Sequence, residues 1–262
     1  DTDLELLTSA DFGLDKTNDF DLETELSKII GLAKVKDFVR TQHKLLIAQE
    51  KRRKADLKVD TTQSLNMIFS GNPGTGKTTI ARVVADMFKQ MGILKSGHLV
   101  ETDKGGLVAE YVGHTAKKTE EVFKSALGGV LFVDEAYALG NNSDAGLTDY
   151  GKEAIDTLVK AMEDYRGKFC VVFAGYKNQM LDMISINPGL RSRIQFELEF
   201  PNYSRSDLKK ITNLMLDKRK YTLSEAALEK MLDITDVKRR EPNFANAREV
   251  RNILDGIIMC QN

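Results

Sequence analysis

An apolar segment that leads directly into a glycine-rich loop constrains the fold of this chain more than any other feature. Residues Leu65–Ser70 form a short apolar run, which predicts a buried β-strand. The next residues, Gly71-Asn72-Pro73-Gly74-Thr75-Gly76-Lys77-Thr78, match the pattern G-x-x-x-x-G-K-[ST] completely. Apolar residues then recur at helical spacing until Gly92, which is typical of a helix end. A strand, this loop and a helix in that order predict a phosphate-binding loop.

The residue types of the loop indicate what it binds. Glycines let the backbone approach phosphate oxygens closely, and the N–H groups of the loop and of the following helix point at the anion. Lys77 adds a positive charge at the β- and γ-phosphates, and the Thr78 hydroxyl is placed to hold Mg²⁺. The sequence therefore predicts a nucleoside triphosphate bound by Asn72, Pro73, Gly74, Thr75, Gly76, Lys77, Thr78 and Thr79.

A second apolar run, Gly129–Val133, ends in the carboxylates Asp134 and Glu135. We expect Asp134 to hold the Mg²⁺ shell and Glu135 to orient and polarise a water that attacks the γ-phosphate. Taken alone, a pair of solvated acids at a strand end is an equally good interpretation. Together with the phosphate-binding loop, the second carboxylate favours hydrolysis over nucleotide binding alone or phosphoryl transfer to a hydroxyl.

Strand-like and helix-like segments alternate through the middle of the chain, which predicts an α/β domain with a mostly parallel sheet covered on both faces. Besides the first strand, we expect strands at His98–Thr102, Val130–Val133, Phe169–Ala174 and Gln195–Phe200. Helices are expected near Leu22–Ile30, Ala116–Leu127 and Lys152–Tyr165.

The pattern changes at both ends of this α/β region. Residues 1–20 are acidic and aperiodic, which indicates a leader or linker. Residues 21–200 form the expected α/β domain, and residues 201–262 lack strand patterns and predict a small helical domain. Ser204 with Asp207 and Thr222 with Glu225 resemble capping boxes that open helices, and Asn246 with Glu249 is a candidate for a third.

Composition narrows the class of protein. The 262 residues include 38 Lys+Arg and 39 Asp+Glu, so a net charge of −1 gives no support for a dominant nucleic-acid surface. Cys170 and Cys260 lie in apolar stretches and predict buried, reduced thiols, which fits a cytoplasmic protein. The sequence shows no signal peptide, no apolar run of membrane-spanning length and no metal-ligand spacing among its histidines.

Several longer strings resemble the AAA+ ATPases and, more narrowly, the CfxQ-like family of CbbX and the stage V sporulation protein SpoVK. They are GNPGTGKTT, YVGHTAKKT, GGVLFVDEAYAL, DYGKEAIDTLVKAME, FAGYKNQM and NPGLRSRI, with NFANAREVRN in the helical region. The resemblance implies an α/β core with a five-stranded parallel sheet in the order 5-1-4-3-2, a helical lid, and ATP with Mg²⁺ as ligands. It also implies assembly into a ring, usually a hexamer, of identical subunits.

The resemblance also assigns roles near the nucleotide. Ile30 and Gly31 match the segment that lines the adenine pocket. Arg193, with Arg191 as second choice, matches the arginine finger that reaches the γ-phosphate of the neighbouring subunit. Arg248 matches the sensor-2 arginine of the lid, and Asn178 is the guess for the polar sensor-1 residue. Without the resemblance, a surface salt bridge is the favoured interpretation of Arg193 and Arg191, and a helix-surface charge is the alternative for Arg248.

Tyr111, Val112 and Gly113 resemble the aromatic pore loop of such rings. An aromatic side chain in the channel grips a passing polypeptide through apolar contact with little sequence preference. The alternative is an ordinary packed tyrosine. The favoured function is therefore an ATPase that remodels a protein client, whose identity the sequence leaves open. A nucleic-acid motor on the same fold and a nucleotide-gated scaffold with little turnover are the alternatives.

Overall fold

Five short apolar segments form one parallel sheet at the centre of the protein. The computed structural model describes residues 20–57, 64–111, 113–140 and 150–261. The strands are β1 (Met67–Gly71), β2 (Leu99–Thr102), β3 (Val130–Val133), β4 (Cys170–Gly175) and β5 (Phe196–Phe200). Their spatial order is β2-β3-β4-β1-β5, and every neighbouring pair is parallel. The predicted order 5-1-4-3-2 and the α/β class are confirmed.

Helices cover both faces of this sheet and continue beyond it. Those before and between the strands are α1 (Leu22–Ser27), α2 (Ala33–Lys54), α3 (Lys77–Gln90), α4 (Lys104–Leu107), α5 (Thr115–Ser125), α6 (Tyr150–Asp164), α7 (Lys177–Ile186) and α8 (Pro188–Arg191). A 3₁₀ helix spans Ala136–Leu139. After the last strand come α9 (Arg205–Arg219), α10 (Glu225–Lys238) and α11 (Ala247–Gln261).

Alternation along β1 divides the apolar core into two parts. Met67 and Phe69 pack on one face of the sheet with α1, α2 and α3, whereas Ile68 packs on the other face with α5, α6 and α7. Successive side chains of a strand point to opposite faces, so a central strand contributes to both layers. The first core also contains Leu208 and Val250 of α9 and α11. The helices after residue 200 are thereby packed against the α/β part beside the phosphate-binding loop.

The predicted helix starts are partly right. The Ser204 hydroxyl accepts from the Asp207 N–H at 3.1 Å, and the Asp207 carboxylate accepts from the Ser204 N–H at 3.3 Å, so this capping box is confirmed. The capping box at Thr222 is wrong, because the N-cap of α10 lies two residues later, at Ser224, whose hydroxyl accepts from the Ala227 N–H. Asn246 precedes α11, but its side chain contacts the phosphate-binding loop instead of capping the helix.

The predicted burial of the cysteines holds for one of them. Cys170 is buried in β4 and its thiol donates to the Leu65 carbonyl, whereas Cys260 is exposed on the last turn of α11. An apolar sequence context marks a helix face, but it does not show whether another element covers that face. The first helix also ends earlier than expected, at Ser27 instead of Ile30. Among the described residues, no helix has both the length and the apolar character needed to cross a bilayer.

Candidate nucleotide-binding site

A cavity of about 370 Å³ lies at the carboxyl edge of the sheet, beneath α9 and α11. Its floor contains Gly71 at the end of β1, Asp134 just after β3 and Gly175 at the end of β4. In open parallel sheets, this edge is where ligands bind, and the volume suits a small molecule. The cavity is therefore the natural place to examine each predicted site residue.

The phosphate-binding loop wraps around one end of this cavity. Gly74 and Gly76 have φ angles of 69° and 93°, a left-handed conformation that glycine adopts at little cost. Pro73, Gly74, Gly76, Lys77, Thr78 and Thr79 line the cavity. Asn72 and Thr75, which were also predicted to bind the nucleotide, do not line it. Thr75 is fully buried and its hydroxyl donates to the Asn72 carbonyl at 2.8 Å, so its side chain shapes the loop from behind.

Lys77 is the positive charge at the base of the loop. Its ammonium donates to the carbonyl oxygens of Gly71 and Asn72 at 2.8 and 2.9 Å. Burial lowers the pKa of Lys77, and the nearby Asp134 carboxylate opposes that shift. An ammonium has three hydrogens, so one donor remains for an anion in the cavity. A phosphate fits this position because it would supply the charge compensation that two carbonyl groups do not.

We expect replacement of Lys77 by methionine to weaken ATP binding by about 100-fold, because charge-assisted hydrogen bonds of this kind contribute roughly 1.5–3 kcal/mol. Methionine keeps most of the buried volume, so the fold should persist. Isothermal titration with ATP measures the change. Lys89→Met on the exposed end of the same helix serves as the matched control and should bind ATP like the wild type. Equal affinity of the two variants would refute the assigned role of Lys77.

The two carboxylates face the loop across the cavity. Asp134 and Glu135 both line it, as does Thr78. The Glu135 N–H donates to the Asp134 carboxylate at 3.0 Å, and Glu135 has a φ of 47°, which is strained for a residue with a side chain. Strain of this kind is concentrated at functional sites, where the surrounding structure maintains it. The turn after β3 thus places two carboxylates in the same cavity as the loop.

Thr78 and Asp134 line the same cavity and carry oxygen donors of the kind that Mg²⁺ prefers. Among the described residues, no group of three or more His, Cys, Asp or Glu side chains is arranged to hold a metal alone. Mg²⁺ commonly needs only one or two protein oxygens, because phosphate oxygens and water complete its shell. The donor set therefore suits a metal that arrives with the nucleotide.

The other end of the cavity is apolar. Lys28, Ile29, Ile30, Ile211 and Leu214 line this part of the cavity. Ile30 therefore lies at the cavity, and its contact with the adenine stays a prediction. Gly31 does not line the cavity. It has a φ of 65° and lies against Asp207, so it redirects the chain beside the pocket.

Two tyrosines that sequence analysis missed lie close to the carboxylates. Tyr137 and Tyr176 line the cavity with ring centroids 5.8 Å apart. The Tyr137 ring packs directly over Gly175, where a Cβ atom would lie 2.7 Å from it. Burial, together with the Glu135 charge, raises the pKa of the Tyr137 hydroxyl. The predicted sensor-1 residue Asn178 is exposed on the first turn of α7 and does not line the cavity, whereas Tyr176 does.

Helix α11 presents two arginines to the cavity. Arg248 lies there as predicted, and Arg251 joins it because residues three apart share a helix face. Within the described ranges, neither arginine forms an ion pair with a carboxylate. Both charges are therefore available to an anionic ligand. The position of Arg251 could have been inferred from its spacing to Arg248.

The predicted finger arginines and the pore loop lie outside this cavity. Arg193 donates to the Gly189 carbonyl at 3.0 Å and lies 3.4 Å from the Glu163 carboxylate. Arg191 is exposed, and no carboxylate in the described part of the chain pairs with it. The Tyr111 side chain is 71% exposed, so it is not an ordinary packed tyrosine. Gly113 follows in a left-handed conformation, and Val112 lies outside the described residues.

Comparison with known proteins agrees with this geometry. The profile "ATPase family associated with various cellular activities (AAA)" matches residues 67–202, and an AAA lid domain profile matches residues 204–262. Stage V sporulation protein K of Bacillus subtilis is 43% identical over 92% of this chain and 74% of its own length. CbbX of Cereibacter sphaeroides is 44% identical over 87% of this chain and 73% of its own. The chloroplastic ribulose bisphosphate carboxylase/oxygenase activase of Cyanidioschyzon merolae is 43% identical over 90% and 78%, respectively.

Solved structures support the fold. A variant of RuvB from Thermotoga maritima superposes with a TM-score of 0.58 at 23% identity, covering 90% of this chain and 66% of that one. The FIGL-1 AAA domain in complex with ADP superposes with a TM-score of 0.53 at 21% identity, covering 83% and 74%. Sequence identities as low as these support only the fold. The matched profiles and the three relatives described above show the family. The chain belongs to the AAA ATPases of the type of stage V sporulation protein K, CbbX and Rubisco activase, and it binds and hydrolyses ATP.

Proposed function

We propose that this protein uses ATP hydrolysis to remodel a protein client drawn through the pore of a homo-hexameric ring. The observation that carries the proposal is Tyr111, a large aromatic side chain that is 71% exposed two residues before Gly113. A single exposed aromatic side chain is common on protein surfaces, so the proposal depends on Tyr111 being exposed within the string that resembles a pore loop. The name of the Cyanidioschyzon merolae relative, an activase of ribulose bisphosphate carboxylase/oxygenase, describes action on another protein.

The chemistry that we propose places each group around the terminal phosphate. Lys77 and the loop amides hold the phosphates, and Glu135 orients the attacking water and polarises it. Thr78 and Asp134 would hold Mg²⁺, which neutralises phosphate charge when it is bound. An arginine of the neighbouring subunit, Arg191 or Arg193, completes the site. Arg248 and Arg251 would connect closure of the lid to the presence of phosphate.

The proposed domain organisation has the boundaries that the sequence predicts. Residues 21–200 form the ATPase core, residues 201–262 form the lid, and residues 1–20 serve as a leader or linker. The partners are further copies of the chain and a protein client in the cytoplasm, whereas nucleic acid is not expected to bind. The near balance of 38 basic and 39 acidic residues supports this choice.

We expect Tyr111→Ala to abolish the stimulation of ATP hydrolysis by an unfolded polypeptide such as casein, because the aromatic grip on the client is lost. The basal rate without casein should change less than about twofold, since Tyr111 lies outside the nucleotide cavity. Tyr111→Phe retains the ring and should keep the stimulation. Steady-state phosphate release with and without casein measures this stimulation for the wild type and the two variants.

Two results would contradict the threading proposal. One is a wild-type rate that casein leaves unchanged in an assembled ring. The other is an equal response of Tyr111→Ala and the wild type to casein. Assembly itself is checked by analytical ultracentrifugation of Glu135→Gln with Mg·ATP, where a hexamer is expected. A species that stays monomeric under those conditions would contradict the ring.

A further inference from the structure

The carbonyl oxygens of the phosphate-binding loop all point into protein. The Lys77 ammonium donates to the carbonyl oxygens of Gly71 and Asn72, as described above. The next three accept hydrogen bonds from residues beyond the sheet. The Pro73 carbonyl accepts from the Asn246 side chain at 3.2 Å, the Gly74 carbonyl from the Ala247 N–H at 3.3 Å, and the Thr75 carbonyl from the Tyr203 hydroxyl at 3.1 Å.

These contacts determine where the loop amides point. A peptide unit is planar and trans, so its N–H points opposite to its C=O. Fixing the Pro73 carbonyl therefore directs the Gly74 N–H away from Asn246, and fixing the Thr75 carbonyl directs the Gly76 N–H away from Tyr203. Neither amide donates to another group in the described chain, and both glycines line the cavity. The residues behind the loop thus aim its donors at the place where phosphates would lie.

Asn246 is the centre of this arrangement. Its side chain is fully buried, and the amide nitrogen lies 2.9–3.2 Å from three acceptors: the Pro73 and Phe244 carbonyls and the Asn202 side-chain oxygen. Its own oxygen accepts from the Tyr203 N–H at 2.9 Å. Two hydrogens serve three acceptors, so every polar atom of the side chain is engaged. Among the described residues, one other amide side chain, that of Asn66, is buried, and it lies away from the phosphate-binding loop at the start of β1.

The backbone around Asn246 is as closely fitted as its side chain. A Cβ atom on Gly74 would lie 2.2 Å from the Ala245 carbonyl and 2.8 Å from the Arg248 nitrogen. Loop and helix start therefore meet backbone to backbone, with no intervening side chain. Asn246 has a φ of 49°, a left-handed conformation that asparagine tolerates better than most residues. Arg248, which lines the cavity, follows two residues later.

We propose that Asn246 is a positioning residue that sets the register between the lid and the phosphate-binding loop. It fixes the loop carbonyls so that the amides face the nucleotide, and it fixes the start of α11 so that Arg248 enters the cavity. One buried side chain thus couples the geometry of the phosphate-binding loop to that of the start of α11. The inference rests on the nucleotide site described above, but it requires neither the ring nor the client.

Asn246→Asp tests this coupling with almost no change in shape. The substitution replaces the donor nitrogen by an acceptor oxygen that faces two carbonyl groups and the Asn202 oxygen. We expect the affinity for ADP, measured by isothermal titration at 25 °C with Mg²⁺, to fall about 10- to 100-fold, the range that loss of a buried hydrogen-bond donor produces. Asn243→Asp is the matched control: Asn243 lies in the same connection with a φ of 65°, but it is exposed. Its affinity should stay within about twofold of the wild type.

A double-mutant cycle separates positioning from a general loss of stability. Because Asn246 acts partly through Arg248, the combined variant Asn246→Asp/Arg248→Ala should lose less affinity than the product of the two single losses. When Asn243→Asp is combined with Arg248→Ala, the fold-losses of ADP affinity of the two single variants should multiply. Wild-type affinity of Asn246→Asp, or strictly multiplicative losses in its cycle, would overturn the proposal.

Tyr203→Phe provides a second test if Asn246→Asp does not fold, which circular dichroism would reveal. The change removes only the hydroxyl that donates to the Thr75 carbonyl and keeps the buried ring. We expect ADP to bind about three- to tenfold more weakly. Unchanged affinity would contradict the premise that contacts behind the loop set the direction of its amides, and the proposal for Asn246 would fall with it. Failure of the wild type itself to bind ADP would instead contradict the nucleotide site and this inference with it, so the two failures are distinguishable.

Discussion

Replacement of Glu135 by glutamine is expected to lower the rate of ATP hydrolysis by about 10²- to 10⁴-fold, the usual contribution of a positioned general base. Glutamine has nearly the same shape, but its neutral amide can neither take a proton from water nor polarise it. Lys77 and the loop remain intact, so the dissociation constant for ATP should change less than about threefold. Steady-state phosphate release and isothermal titration measure the two quantities on the same preparation.

The control for this substitution is Glu120→Gln. Glu120 lies on α5, is exposed and pairs with Lys124 one turn away, so both ATP turnover and binding should match the wild type. If Glu135→Gln hydrolysed ATP at the wild-type rate, the water-activating group would have to be another residue. The neighbouring Tyr137 and Asp134 would then be the groups to change next.

Loss of the proposed arginine finger, which would reach the neighbouring subunit, should have an even larger effect, on the order of 10³- to 10⁵-fold in turnover. The sequence favours Arg193 over Arg191, whereas the contacts within one chain leave Arg191 the freer of the two, and we propose Arg191 as the finger. Arg193 is held within its own subunit by the Gly189 carbonyl and the Glu163 carboxylate, whereas Arg191 is exposed. We therefore expect Arg191→Ala to bind ATP normally and to hydrolyse it about 10³- to 10⁵-fold more slowly than the wild type. The hydrolysis rate of Arg193→Ala should fall less.

Mixing tests whether that arginine acts between subunits. Arg191→Ala has an intact Glu135, and Glu135→Gln has an intact Arg191, so neither assembly is active alone. In mixed rings, a Glu135→Gln subunit can supply its arginine to the site of an Arg191→Ala neighbour. Phosphate release should therefore recover on mixing. Mixed rings that stay as inactive as the separate variants would argue against a shared site.

The sequence was most informative where chemistry depends on local order. The loop from Gly71 to Thr78 and the pair Asp134 and Glu135 are contiguous, and each follows a run of apolar residues that fits a buried strand. Alternating strands and helices then left few possible topologies, because parallel strands require crossover connections. The α/β class could accordingly be predicted from pattern alone. The strand order came from the family resemblance.

Other parts of the site depend on contacts between residues distant in the chain. Asn246 and Pro73 are separated by 173 positions, and nothing near Asn246 in the sequence indicates that its side chain bonds to the loop instead of capping α11. Tyr137 and Tyr176 follow different strands and come together only because β3 and β4 are neighbours. The same limit explains Cys260, since sequence periodicity reveals an apolar face without revealing whether another element covers it.

The most direct test of this account is equilibrium binding of Mg·ATP to the purified wild-type chain, measured by isothermal titration with Glu135→Gln as the non-hydrolysing reference. The account predicts saturable binding of one nucleotide per chain in both proteins, at the cavity that the loop and α11 enclose. Absence of any measurable affinity for Mg·ATP in both proteins, under conditions where they are folded, would contradict it.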